Sequence, residues 1–203
     1  MASLHETFAG PAFDPRLRWH HPPPSLRTGA AGLVIETAAG TDFWQGTHYG
    51  FRADNGHFLG IAVAGDFIIE TRVRTEPVHQ YDQAGLMIRL SPECWLKTSV
   101  EFEPGHPSRL GAVVTNGGWS DWSTQDIGPE QGRDVAFRIG RTAADYLVEA
   151  ALQPEGRWTQ IRLARLHADT GAEVEAGLYC CSPKAAGFRA AFAMLRIAPP
   201  PPA

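Results

Sequence analysis

Apolar and polar residues alternate along most of this chain with a period of two, the period of side chains on a β-strand. The clearest stretch is Asp82–Phe102, DQAGLMIRLSPECWLKTSVEF, where two alternating runs meet at a Ser91-Pro92 turn. Such runs recur about every ten residues, the spacing of an all-β sandwich or barrel. They predict strands at Gly32–Thr37, His57–Ala64, Phe67–Thr75, Ala84–Leu90, Trp95–Glu103, Arg109–Thr115 and Ser120–Ser123. Val135–Arg141, Asp145–Leu152, Thr159–Leu166, Glu173–Cys181 and Phe188–Ile197 complete the series. Turn residues separate them at Asp54-Asn55-Gly56, Pro104-Gly105, Asn116-Gly117-Gly118 and Pro154-Glu155-Gly156. Gly65-Asp66 and Thr142-Ala143 suit short hairpins. No amphipathic helix is predicted; Gly128–Arg133 offers one turn at most.

The ends read differently. Residues 1–30 hold Pro11, Pro15 and Pro22–Pro24 without a sustained period. They are expected to form an extended arm, with Leu17 and Trp19 as its anchors. Residues 31–198 read as one sandwich domain, and the proline-rich tail 199–203 as fraying polyproline II.

Parity then sorts the strand faces. Ala84, Leu86, Ile88 and Leu90 belong to an inter-sheet core, as do Leu96, Thr98, Val100 and Phe102. The opposite parity collects Gly85, Met87, Arg89, Trp95, Lys97, Ser99, Glu101 and Glu103. If Phe67–Thr75 and Glu173–Cys181 lie in the same sheet, its outer face also carries Glu70, Arg72, Glu175 and Tyr179. Mixed charge with aromatics suits a polar, ring-bearing ligand. The plainer alternative is a solvated face with cross-strand ion pairs.

Composition narrows the classes. Of 203 residues, 43% are hydrophobic and 20% charged, which is ordinary for a soluble globular protein. A net charge of −4 supplies no basic field, so nucleic acid is not an expected partner. The start MASLHETFAG has neither a cationic nor an apolar run, and no stretch reaches the length of a membrane span. Cys94, Cys180 and Cys181 cannot make a full disulfide framework, so a cytoplasmic setting with reduced thiols is expected. By parity Cys180 is core, while Cys181 is expected to be exposed and oxidisable.

Two clusters add candidate chemistry. Trp44, His48, Tyr49, Arg52, Asp54, Asn55 and His57 crowd into Trp44–His57 and read as a pocket rim. His48 and His57 match no compact metal spacing, and no metal is expected. Asn116–Ser123 sets Trp119 and Trp122 around Asp121, as a sugar-clasping loop would, or as a wide turn with one Trp in the core. Glu101 and Glu103 share a strand face roughly 6.5–7 Å apart at Cα, permissive for a pair of glycosidase carboxyls. No nucleophile elbow or phosphate cradle is present.

The segments AGLMIRLSPECWLKTSVEF, VVTNGGWSDWS, GLYCCSP with GFRAAF, and FWQGTHYGFRADNGHF resemble the domain-of-unknown-function 1349 family, which includes regulator-of-enolase-like proteins. The resemblance covers about residues 33–198. It implies a concanavalin A-like lectin/glucanase jelly roll of two antiparallel sheets, one concave. Related domains sit beside glycosidases, but no established catalytic residues come with the family. Glucanases of this fold carry a Glu-x-Asp-x-x-Glu strand, which Glu101-Phe-Glu103-Pro104 is not. Legume-type relatives of the fold use calcium, yet no dense Asp/Asn loop is present here to hold it.

The expectation is therefore a lectin-like domain binding carbohydrate or a similar polar ligand, without a cofactor. Arg89, Trp95, Lys97 and Glu101 would form its face, with Trp44, His48, Tyr49, Arg52, Trp119, Asp121 and Trp122 at the rim. An outward-facing Trp95 would tolerate Trp95→Ala within about 1–2 kcal/mol. The alternatives are a glycoside hydrolase-like enzyme with Glu101 as acid/base, and a module that binds and regulates a metabolic enzyme.

Overall fold

The alternating runs close into two antiparallel sheets facing one another. The computed structural model describes residues 3–128, 134–153 and 156–201. In chain order its strands are β1 (Leu4–Glu6), β2 (Arg18–His20), β3 (Ser25–Gly29), β4 (Gly32–Glu36), β5 (Phe43–Gln45), β6 (Arg52–Asp54), β7 (His57–Val63), β8 (Phe67–Glu76) and β9 (Gln83–Ser91). They continue as β10 (Cys94–Glu101), β11 (Ser108–Asn116), β12 (Trp119–Ile127), β13 (Asp134–Thr142), β14 (Asp145–Ala151), β15 (Thr159–Arg165), β16 (Val174–Cys181) and β17 (Arg189–Ala198). No helix occurs among the described residues, and none is long and apolar enough to cross a membrane.

One sheet runs β15-β14-β13-β8-β17-β4-β3, with β1 also pairing β17; the other runs β12-β11-β10-β9-β16-β7-β2. All twelve predicted strands are present. Ser120–Ser123 lengthens into β12, whereas Trp95–Glu103 stops at Glu101, so Glu103 leaves the strand face. The first thirty residues place β1, β2 and β3 on the sheets, with Leu17 buried and Trp19 half-buried against the main core.

Three expectations need correction. Gly65-Asp66 is no hairpin, because β7 pairs with β2 and β16 while β8 pairs with β13 and β17 in the facing sheet. For the same reason Glu70 and Arg72 lie away from Trp95; Glu70 instead pairs with Arg138 and Arg196 of its own sheet. The β13–β14 hairpin exists one residue further on, with Thr142 paired to Asp145 and Ala143 at φ 54°. The Gly128–Arg133 turn, the Pro154-Glu155-Gly156 turn and the end of the Pro199–Pro202 tail fall partly outside the described residues.

The parity argument holds for the core. Leu86, Ile88, Leu96 and Val100 pack against Phe67, Ile69, Phe137 and Ile139 between the sheets. On the outer face of the seven-stranded sheet lies a second apolar cluster, where Phe43 and Trp44 of β5 cover Met87, Trp95, Val113 and Tyr179. The β5–β6 hairpin is thus a lid over that face.

Candidate functional site

Strand register assembles the floor under this lid. Across neighbouring strands, Trp122, Val113, Lys97 and Met87 form one row, and Arg109, Glu101, Gln83 and Cys181 another. The lid is tied down at several points. Asp42 sits 3.4 Å from Lys97 Nζ, and Arg89 Nη2 donates to Asp54 Oδ2 at 2.8 Å. Gln45 N donates to Ser120 Oγ at 2.8 Å, and Arg52 Nη1 to the Gly118 carbonyl at 2.6 Å. Gly56 is needed at the lid's base, because a Cβ there would stand 2.3 Å from the Phe43 ring.

Coverage by the lid removes the open outer face that both the ligand-binding and the solvated readings assumed. Trp95 is wholly inaccessible and donates its indole N–H to the Pro92 carbonyl at 3.1 Å. Tyr179 is equally buried and donates to Gln83 Oε1 at 3.1 Å. Cys181, expected to be exposed, is buried under Phe43, and burial pushes its thiol far above the ordinary range. Cys94 and Cys180 are also free and buried. In β9, β10 and β16 parity gives the two faces, but not the lid that lies over the outer one.

Where lid and floor part, a cavity of about 240 Å³ remains. Trp44, Tyr49, Phe51 and Trp122 wall it, and Asp42, Gln83, Lys97 and Glu101 form its polar end, with Tyr81 and Lys184 at the margin. The walls are angled to one another: Trp44 meets Trp122 at 82° with centroids 6.5 Å apart, and Tyr49 at 60° and 5.5 Å. Lys97 is 2% exposed and donates to Gln83 Oε1 at 2.9 Å, its ammonium lying over the Trp95 and Tyr179 rings. Burial works against that charge, but Asp42 and Glu101 outweigh it and hold the Lys97 pKa above the ordinary value.

Glu101 is the unusual group. It is 7% exposed, lines the cavity, and makes no hydrogen bond and no ion pair within 4 Å among the described residues. Burial, reinforced by Asp42 and Glu103 and opposed by Lys97 and Arg109, pushes its pKa up to about 7. Glu103 does not join it: its carboxylate accepts from Gln80 at 2.8 Å and faces Arg109 at 3.8 Å.

Of the expected site residues, the cavity brings together Trp44, Tyr49, Lys97, Glu101 and Trp122. His48 projects from the lid tip at φ 61°. Arg52 anchors the lid and lies 5.2 Å from the Trp119 ring, which is 61% exposed. Asp121 pairs with Arg162 at 3.0 Å, and Arg89 holds Asp54. Asp42, Phe51, Tyr81, Gln83 and Lys184 were missed. Gln83 shares the parity of Gly85 and Met87 but lies one residue before the predicted strand Ala84–Leu90, and β9 begins on it. The others stand on loops or on the lid, where no period points to them. Among the described residues no three His, Cys, Asp or Glu side chains come together as a metal set.

Residues 19–200 match the family model described as a protein of unknown function (DUF1349). The chain is 34% identical over 174 residues to Regulation of enolase protein 1 of Saccharomyces cerevisiae, covering 86% of this chain and 85% of that protein. A crystal structure of a functionally unknown protein from Saccharomyces cerevisiae superposes with a TM-score of 0.83 at 32% identity, over 91% of this chain and 97% of the other. A Bacteroides ovatus protein described as xyloglucan PUL GH43B is similar with a TM-score of 0.77 at 14% identity, over 98% of this chain and 40% of that one. A β-1,3-glucanase of Mycobacterium marinum is similar with a TM-score of 0.60 at 13% identity, over 96% and 97%. The last two likenesses concern the jelly-roll fold alone.

Proposed function

The chain belongs to the DUF1349 family, and from that premise we propose that it is a lectin-like binding protein whose lid-covered cavity holds a single sugar ring or a polar ring of similar size. The observation carrying this reading is one cavity with aromatic walls at Trp44 and Trp122 and buried hydrogen-bonding groups at Gln83, Lys97 and Glu101. Rings stack on the first set; hydroxyls meet the second. At about 240 Å³ the space is small beside the roughly 300–1,000 Å³ of drug-sized sites, which favours one ring over a chain of them. The glycosidase names among the structural neighbours agree with a sugar at the level of fold.

The test is a thermal-shift and calorimetric screen against monosaccharides. A ligand at a hundred times its dissociation constant adds about 2.7 kcal/mol to native stability, a readily measured shift. Half-buried Trp122 can be trimmed without opening the main core, so Trp122→Ala should weaken binding roughly three- to tenfold. A flat screen beside a working control would sink the proposal. Aryl glycoside hydrolysis lost in Glu101→Gln with binding kept would make the protein an enzyme, with Asp42 as the cavity's other carboxyl.

A second reading is a protein-interaction module that regulates a metabolic enzyme. Two observations favour it: the yeast relative's name, and the exposure of Tyr49, Phe51 and Trp119 around the lid. A specific partner retained by the wild type and released by Trp119→Glu would support it; retention by both would count against it.

A further inference from the structure

Resting on the sugar reading of the same cavity, we infer that its ligand carries a basic nitrogen, as an amino sugar does, with Glu101 as the counter-ion. The inference starts from the hydrogen-bond inventory of the floor. Gln83 Oε1 already accepts from Lys97 and from Tyr179, and Gln83 Nε2 donates to the Tyr81 carbonyl. Asp42 Oδ1 receives both Phe43 N and Lys97 Nζ. Of these three polar groups Glu101 is the one with no partner among the described residues, although it is more than nine-tenths buried and lines the cavity. Its carboxyl is open only towards the cavity it lines, so a donor that completes it comes from there.

Charge decides which donor. Two of the three neighbouring cations are already answered: Lys97 by Asp42 at 3.4 Å, and Arg109 by Asp126 at 3.0 Å and Glu103 at 3.8 Å. Lys184 lies at the margin over the Tyr81 ring, 5.3 Å from its centroid. With Lys184 held at the margin, the group left unanswered at the centre is Glu101, an acid that turns negative when a base in the cavity takes its proton. Trp44, Tyr49, Phe51 and Trp122 line the same cavity at mutual angles of 32–82°. An ammonium over the face of one of these rings gains from its quadrupole as well as from the carboxylate. A neutral hydroxyl in the same place would gain neither in full.

The experiment is isothermal titration of the intact protein with D-glucosamine, D-glucose and N-acetyl-D-glucosamine, and with cyclohexylamine against cyclohexanol. The expected result is glucosamine bound at least about tenfold tighter than either neutral sugar, the size of one added charge-assisted contact. Glu101→Gln, of nearly the same shape, should erase that preference while its thermal midpoint holds or rises. The ranking measured on wild type stands independently of that variant. Glucose and glucosamine bound equally would overturn the inference and leave the sugar reading intact. Cyclohexylamine bound in preference to cyclohexanol, with no sugar bound, would keep Glu101 as counter-ion and end the sugar reading. No binding by any of the five would overturn both.

Discussion

Trp95 and Lys97 show how a residue's direction and its burial are separate facts. Both point away from the inter-sheet core, as their parity requires, yet both are buried because Phe43, Trp44 and Asp42 come down on them from a segment fifty residues earlier. The consequence for stability is opposite to the one drawn from an open face. Trp95→Ala should cost about 3–5 kcal/mol, the range for emptying a large core site, where an outward Trp would cost about 1–2. Urea unfolding measures the difference directly; a loss below about 2 kcal/mol would return Trp95 to the surface. Lys97→Met leaves Asp42 facing an apolar floor without its cation, a loss of about 3 kcal/mol. Asp42→Asn added to Lys97→Met should recover much of it, whereas additive losses would show that the two are not coupled. Position 97 could be assigned a face from the sequence, because alternation is local. Its partner could not be named, because Asp42 is in a loop with no periodic signal.

At the scale of elements, the long strands were legible and the lid was not. Runs such as β8 and β9 carry enough alternation to declare themselves, whereas β5 and β6 are three residues each, too short to display a period. The stretch Trp44–His57 therefore reads as a pocket rim, its aromatic crowding visible in the sequence and its hairpin pairing not. Gly65-Asp66 failed for a related reason: turn chemistry signals a reversal but not whether the next strand stays in the sheet. The lid's attachment can be tested at its cleanest tie, Ser120. Its hydroxyl accepts from Gln45 N and shares a 2.8 Å hydrogen bond with Thr115 Oγ1. Ser120→Ala leaves the Gln45 amide without that acceptor and should lower stability by about 1–2 kcal/mol. Amide exchange at Gln45 should quicken more than exchange in β9 or β10, because the lid opens as a local unit. Equal acceleration everywhere would mean that the hairpin has no independence from the sandwich.

Two buried groups tie the stability of the whole molecule to pH in opposite directions. His57 Nε2 accepts from Ala38 N at 3.0 Å, so its Nδ1 carries the proton given to the His21 carbonyl at 2.8 Å. Burial lowers its folded pKa below the ordinary 6.5, so its contribution is complete above that value and is lost as pH falls. Glu101 does the reverse. With an ordinary value of 4.5 and a folded value of about 7, the native state holds a proton that the unfolded chain has released. Stability from this group is complete below 4.5 and declines as pH rises towards 7. A rise of this size corresponds to a loss on the order of 3 kcal/mol. Glu101→Gln cannot titrate, so its unfolding free energy should gain on the wild type progressively between pH 4.5 and about 7 and then run parallel to it. Urea titrations of both proteins at half-unit pH steps would trace the divergence. A constant offset across that window would mean that the carboxyl ionises alike in folded and unfolded chains. Glu101 would then sit in water, and its role as the unanswered acid of the cavity would fall with it.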